Sequence, residues 1–273
     1  MTHEKSTAVA DLVRGHGDLL DRAVRSLDER GAWCPYVEAP SRKAYGETAK
    51  ADGEAAFRAH LGREFALDQP GVLGHVGVET SPWGIDLGTR YPRSRPDALV
   101  AAARDAQRGW SKREPRDRAA LLAEVLARLN RRSFEMAFAT MHTTGQGFVM
   151  AFQAGGPHAQ DRGLEAVAQA LRALEAVPRS ATWNKRVGRD EEIRLQKTFR
   201  VVPRGVGLVI GCSTFPTWNS YPALFANLAT GNASIVKPHP GAVLPLAITV
   251  SVMRGVLEEH GCDPNLVTLA VDT

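Results

Sequence analysis

Between Val206 and Pro238 the chain reads VGLVIGCSTFPTWNSYPALFANLATGNASIVKP, and this succession leaves few folding options. An apolar run, Val206–Ile210, ends at the turn Gly211-Cys212-Ser213-Thr214-Phe215-Pro216. A helical segment, Trp218–Ala229, follows, then a Gly231-Asn232 turn and a second apolar run, Ser234–Val236, closed by Lys237-Pro238. Strand, crossover helix and strand of this length join parallel neighbours with a right-handed connection. Uniformly apolar strands need cover on both faces. Open α/β sheets take their ligands at the carboxyl ends of the strands. Lys237 and the 211–216 turn both fall there, so they are the first candidates for a site. On spacing alone, a surface lysine that ends a strand remains an equal reading.

The pattern continues in the same sense. A helix from about Ala242 to His260 turns Leu246, Val250, Met253 and Leu257 inward, and a strand, Leu266–Val271, comes after it. Upstream, Ile193, Leu195, Phe199 and Val201 alternate with charged residues between Glu191 and Val202, as on a half-buried strand. From Pro96 to Val177 the period is helical. Leu99, Ala103, Ala106 and Trp110 follow Asp97 as a candidate N-cap, and further stripes run through Leu121–Leu129 and Leu164–Leu174. The first thirty residues form a helix weakened by Gly15 and Gly17. Residues 31 to 96 read as a loop-rich wrap whose aromatics, Trp33, Tyr36, Phe57, Phe65 and Trp83, require a surface to pack on. The expected architecture is α/β: a helical and loop-rich N-terminal region (1–95) and a partial doubly wound parallel sheet (96–273).

Several function classes recede on composition. The net charge of +4 is spread along the chain, whereas nucleic-acid binding gathers positive charge on one face. Arg131-Arg132 and Arg113…Arg118 are read as solvated helix sides. Cys34, Cys212 and Cys262 are too scattered for a disulfide framework or a zinc site, and the eight histidines show no metal-ligand spacing. Charges interrupt the first residues where a secretory apolar core would lie, and no run is long enough to cross a bilayer. A cytoplasmic protein with no membrane partner is expected.

The order VGLVIGCSTFP…ATGNASIVKP resembles the coenzyme domain of the aldehyde dehydrogenase superfamily, in which an Asn-Phe-Pro turn, a Gly-Asn turn and a Lys-Pro strand end follow one another. Phe215-Pro216 and Lys237-Pro238 fall at that family's separation without a gap. Ala102–Trp110, Pro115–Leu129 and Thr144-Gly145-Gln146 are similar to its opening helices and its Thr-Gly-Lys element. WCPYVEAPSRKAYGE, REFALDQPG and the segment Val76–Tyr91 look like one branch, the phenylacetic acid degradation proteins of the PaaN type.

This resemblance implies a cofactor site made by Ser213, Thr214, Phe215, Lys237, His239 and Pro240. Lys237 would donate to the hydroxyls of the adenosine ribose. NAD-specific relatives commonly carry a glutamate three residues beyond the lysine. Here Pro240, after His239, removes that carboxylate, so NADP is expected to be tolerated beside NAD, with preference for it left open. Thr214 stands where most relatives have an oxyanion-binding asparagine. Its hydroxyl either donates to the oxyanion or caps the following helix. Cys212, like Cys34 and Cys262, is read as structural, because no base can be assigned to it.

The family's cysteine nucleophile, glutamate base and pyrophosphate-binding helix would lie beyond residue 273. The implied function is an NAD(P)-dependent aldehyde dehydrogenase of phenylacetate breakdown, represented by an N-terminal portion and acting on a ring-opening aldehyde, with coenzyme A thioesters among its possible partners. It would form homo-oligomers when full length. The alternative is a non-catalytic scaffold that docks on a full-length relative. A three-stranded sheet with one face and one edge uncovered is expected to be sticky.

Overall fold

The computed structural model describes residues 2–272, with side chains from residue 8 onward. Helix α1 (Thr2–Glu29) is followed by the short α2 (Arg42–Tyr45), α3 (Ala49–Arg58) and a hairpin of β1 (Val72–Val76) and β2 (Tyr91–Ser94). Helices α4 (Pro96–Trp110), α5 (Pro115–Arg131), α6 (Ser133–Thr144), α7 (Phe148–Gly155) and α8 (Pro157–Glu175) come next. A second hairpin pairs β3 (Ser180–Arg186) with β4 (Glu192–Thr198). The remainder alternates: β5 (Val206–Ile210), α9 (Pro216–Ala229), β6 (Ala233–Lys237), α10 (Leu244–Glu259) and β7 (Val267–Leu269).

The last five elements form the α/β unit legible in the sequence. Strands β5, β6 and β7 are parallel neighbours in that order, with Ile210 opposite Lys237 and Val236 opposite Leu269. Right-handed crossovers place α9 and α10 on one face. Helix α4 runs against all three strands, and β6 is buried on both sides. The helical layer below packs tightly. A Cβ at Gly163 of α8 would fall 3.0 Å from both Leu126 of α5 and Phe225 of α9, so a larger residue would require those side chains to give by a few tenths of an ångström. Helix α1 runs unbroken through Gly15 and Gly17. Burial of Leu20 and Ala23 in the main core and a 3.0 Å contact between His16 Nε2 and Glu124 Oε2 offset the roughly 1 kcal/mol that each glycine costs a helix.

Three expectations need correction. Asp97 is not the N-cap of α4; extended Arg95 is, and Pro96 presets the first helical φ, leaving Asp97 in the first turn where its charge suits the helix dipole. Arg118 is not solvated. It is 4% exposed, its Nε donates to Ala229 O at 3.0 Å, and its Nη1 donates to Arg113 O. With Trp110 Nε1 on Leu228 O at 2.8 Å and Gln107 Nε2 on Gly231 O at 3.1 Å, it binds carbonyls at and just past the end of α9. The Glu191–Val202 strand is not half-buried: every residue of β4 is exposed, and it pairs only with β3. The alternation is real, because Trp183, Ile193 and Leu195 share one face, but that face meets solvent.

The wrap is more structured than its glycines and prolines suggest. Phe57 of α3 is buried and stacks on His142 at 4.9 Å. Its chief work is at the sheet. Gln69 Nε2 donates to Leu269 O at 2.7 Å, and Gln69 Oε1 accepts from Leu269 N at 2.9 Å, so one side-chain amide stands in for a neighbouring strand on the outer edge of β7. Buried Glu79 accepts from Val243 N and Leu244 N and from the Tyr91 hydroxyl, capping α10 from a distant segment. The expected open edge is therefore confined to β5, where Leu208 is 62% and Ile210 69% exposed. Among the described residues no helix is long and apolar enough to cross a membrane.

Gln69→Ala strands two buried backbone groups and should lower unfolding stability by about 2–4 kcal/mol, read from urea denaturation. Burial raises the Glu79 carboxyl above its usual range, and its hydrogen bonds only partly offset this. A raised folded-state value favours the native state at low pH, and that favour fades as pH climbs from about 4.3, the unfolded value, through the folded one. The stability of the wild type relative to Glu79→Gln should accordingly fall over that window and level off above it.

Candidate functional site

The carboxyl ends of β5 and β6 lie side by side. Gly211 N donates to Lys237 O at 2.8 Å, extending the ladder one residue past the strands. A Cβ at Gly211 would fall 2.7 Å from Leu246 Cδ1, so a larger residue here would make the Leu246 side chain of helix α10 shift, whereas the 3.5 Å to Pro238 Cα is ordinary contact. The 211–216 turn and the Lys237-Pro238 exit thus share one edge of the sheet, where strand carbonyls end and α9 begins.

Within the turn the sequence alternatives separate. Phe215, not Thr214, is the N-cap of α9, and Pro216 is its first residue. The sulfur of Cys212 closes the turn, accepting from Phe215 N at 3.4 Å and from Asn219 Nδ2 at 3.0 Å. The Thr214 hydroxyl takes no part in capping and has no partner among the described residues, while Thr214 itself is exposed. Its carbonyl is held instead, accepting from Gln146 Nε2 just past the end of α6. Ser213 is half-buried beside it. The Phe215 ring meets Trp218 at 6.1 Å, and the Arg162 guanidinium lies 5.6 Å from the Trp218 ring.

On the other side, Lys237 Nζ reaches Asp272 Oδ2 at 3.1 Å, just past β7, a partner that sequence reasoning missed because it lies 35 residues on. His239 is exposed and folds back on its own turn, its Nδ1 accepting from Gly241 N at 3.1 Å; Pro240 is half-buried next to it. The six cofactor candidates therefore gather at one sheet edge, with Lys237 turned toward β7.

The cysteines divide by environment. Burial pushes the Cys34 thiol up to about 11 and raises Cys262 as well, the reverse of what an activated nucleophile needs. Cys212 faces only amide donors. No cluster of metal-ligating side chains exists among the described residues. A cavity of about 810 Å³ opens between Ser111–Arg118, Val177–Arg179 and Thr198–Pro203. It lies at the amino ends of the strands and holds none of the candidate site residues.

The residues present suit a dinucleotide. Lys237 offers three donors, of which Asp272 engages one, and a ribose diol can use the others. The free Thr214 hydroxyl stands one residue before Phe215, on the same edge.

Comparison with known proteins bears on the family and the fold. Residues 89–271 match the model of the aldehyde dehydrogenase family. Among solved structures the chain is similar to an NAD-dependent aldehyde dehydrogenase from Burkholderia multivorans, at 58% identity and a TM-score of 0.93, over 96% of this chain and 47% of that one. A 1-pyrroline-5-carboxylate dehydrogenase variant from Thermus thermophilus follows at 19% identity and a TM-score of 0.64, over 88% of this chain and 45% of that one. A 3,6-anhydro-L-galactose dehydrogenase gives 18% identity and a TM-score of 0.60, over 77% and 43% respectively. The latter two share the fold. The chain spans about half the length of these relatives, 47% in the first case. No curated protein matched it.

Gln146→Ala should free the Thr214 turn without unfolding the protein. Amide exchange of a 211–216 peptide should accelerate, while global stability drops by only about 1 kcal/mol.

Proposed function

Because the chain belongs to the aldehyde dehydrogenase family, we propose that it forms the nucleotide-binding portion of an enzyme that oxidises an aldehyde with a nicotinamide dinucleotide. The observation that carries this is the shared edge: Lys237 and the 211–216 turn meet at the carboxyl ends of adjacent parallel strands. The bound cofactor would supply the hydride acceptor.

The protein groups would then divide the work. Lys237 directs its unengaged donors at the adenosine ribose, while the turn of His239 and Pro240 borders it. Pro240 puts no carboxylate on that turn, which leaves NADP admissible beside NAD. Ser213 and Phe215 line the approach. The Thr214 hydroxyl, free of any capping bond, donates to the oxygen of the reacting carbonyl as negative charge gathers there. Gln146 holds the Thr214 carbonyl and so limits the movement of that donor. The nucleophile is not assigned to Cys34 or Cys262, whose thiols burial raises, nor to Cys212, whose sulfur meets amide donors and no base.

The substrate class in this reading is an aldehyde released by opening an activated aromatic ring in phenylacetate breakdown, with coenzyme A thioesters as related partners. Its support is the resemblance of WCPYVEAPSRKAYGE and REFALDQPG to that branch of the family. The 1–95 and 96–273 segments act as extension and coenzyme-binding unit, and the setting is cytoplasmic. Homo-oligomer formation is proposed through the β3–β4 hairpin. Two isolated strands are marginal in water, and the Trp183–Ile193–Leu195 face has no partner among the described residues. The exposed Leu208 and Ile210 on the edge of β5 favour a second reading, a non-catalytic module docked on a longer relative.

Quenching of tryptophan fluorescence by NAD tests the first reading. Lys237→Ala should weaken binding by roughly tenfold to a hundredfold, the span expected for lost hydrogen bonds from a charged donor. Undiminished binding by the variant would refute it. A docking module would instead bind its relative equally well with or without nucleotide.

A further inference from the structure

The dinucleotide reading, on which this inference rests, leaves the choice between the two nicotinamide nucleotides to the chemistry around the ribose. Sequence position 240 offers no carboxylate there, but the fold brings one from elsewhere. Val236 of β6 lies opposite Leu269 of β7, and Ala270 N donates to Val236 O at 2.7 Å, so the chain leaves the sheet alongside the exit of Lys237. Asp272 then places Oδ2 3.1 Å from Lys237 Nζ, with the lysine side chain 31% and the aspartate 57% exposed. Both groups open onto the edge at which the nucleotide is placed.

We infer that Asp272 is a selectivity residue that favours NAD over NADP. A carboxylate is an acceptor only, so it can take a hydrogen bond from the ribose 2′-hydroxyl while Lys237 donates to the neighbouring oxygen. The same carboxylate meets a 2′-phosphate as like charge against like charge, and nothing on that phosphate can donate to it. The ion pair also spends part of the lysine's positive field that would otherwise attract the additional phosphate. A carboxylate just past the third strand thus does for the ribose what the 240 turn lacks.

The test uses the 273-residue chain with 5′-AMP and adenosine 2′,5′-bisphosphate as probes, titrated calorimetrically at fixed low salt. Wild type should bind 5′-AMP more tightly. Asp272→Asn, checked for an unchanged thermal melt, should shift the affinity ratio toward the bisphosphate by about tenfold, as expected for removing one partly solvated charge. Binding of both probes with an unchanged ratio in the variant would overturn the inference while leaving the nucleotide site standing, as would a wild-type preference for the bisphosphate. Failure of 5′-AMP to bind wild type would remove the site and the inference together.

Discussion

The register between two parallel strands governs the rest of this molecule. Ile210 lies opposite Lys237, and the bond from Gly211 N to Lys237 O carries the pairing one residue beyond the strands. That step decides that the turn before Phe215 and the exit after Lys237 share one edge. A slip of one residue would send Lys237 to the other face of the sheet. The lysine, the turn and the carboxylate from β7 can act on a common ligand only because the crossover helix α9 returns the chain in this register.

Much of the remaining chain maintains that arrangement. Trp110, Arg118 and Gln107 bind carbonyls at and just past the end of α9 from α4 and α5, fixing the helix against the layer beneath it. Glu79 does the corresponding work at the start of α10, and Gln69 substitutes for a strand along the edge of β7. Each is a polar group whose partners lie far away in sequence. Each has its bonds met in the interior, where an unpaired donor or acceptor costs most. The N-terminal wrap is thus part of the sheet's support.

What the sequence disclosed follows from this division. Strand, helix and strand between Val206 and Pro238 were legible because local signals agree: apolar runs of strand length, a helical segment entered through proline and a Gly-Asn turn. That the 211–216 turn and Lys237 end neighbouring strands was legible for the same reason, since strand ends can be counted, whereas the cofactor roles of 213–215 and 237–240 rested on the family resemblance. Non-local partners were not legible. Nothing in the sequence near Lys237 points to Asp272, and nothing near Gln69 points to Leu269. The β3–β4 hairpin misled because alternation records only that two faces differ, not that either is covered. Arg118 misled in the opposite sense: an arginine in a charged stretch reads as solvated until the helix end it caps is in place. At Thr214 the sequence allowed capping or oxyanion binding, and the sulfur of Cys212 closing the turn leaves the hydroxyl free for the second.

The central claim is that a nucleotide binds across the carboxyl ends of β5 and β6. A crystal structure of the chain soaked with 5′-AMP addresses it most directly. The account predicts the ribose within hydrogen-bond distance of Lys237 Nζ, beside the 211–216 turn and Asp272. Density instead in the cavity at the amino ends of the strands, between Ser111–Arg118 and Thr198–Pro203, would contradict it.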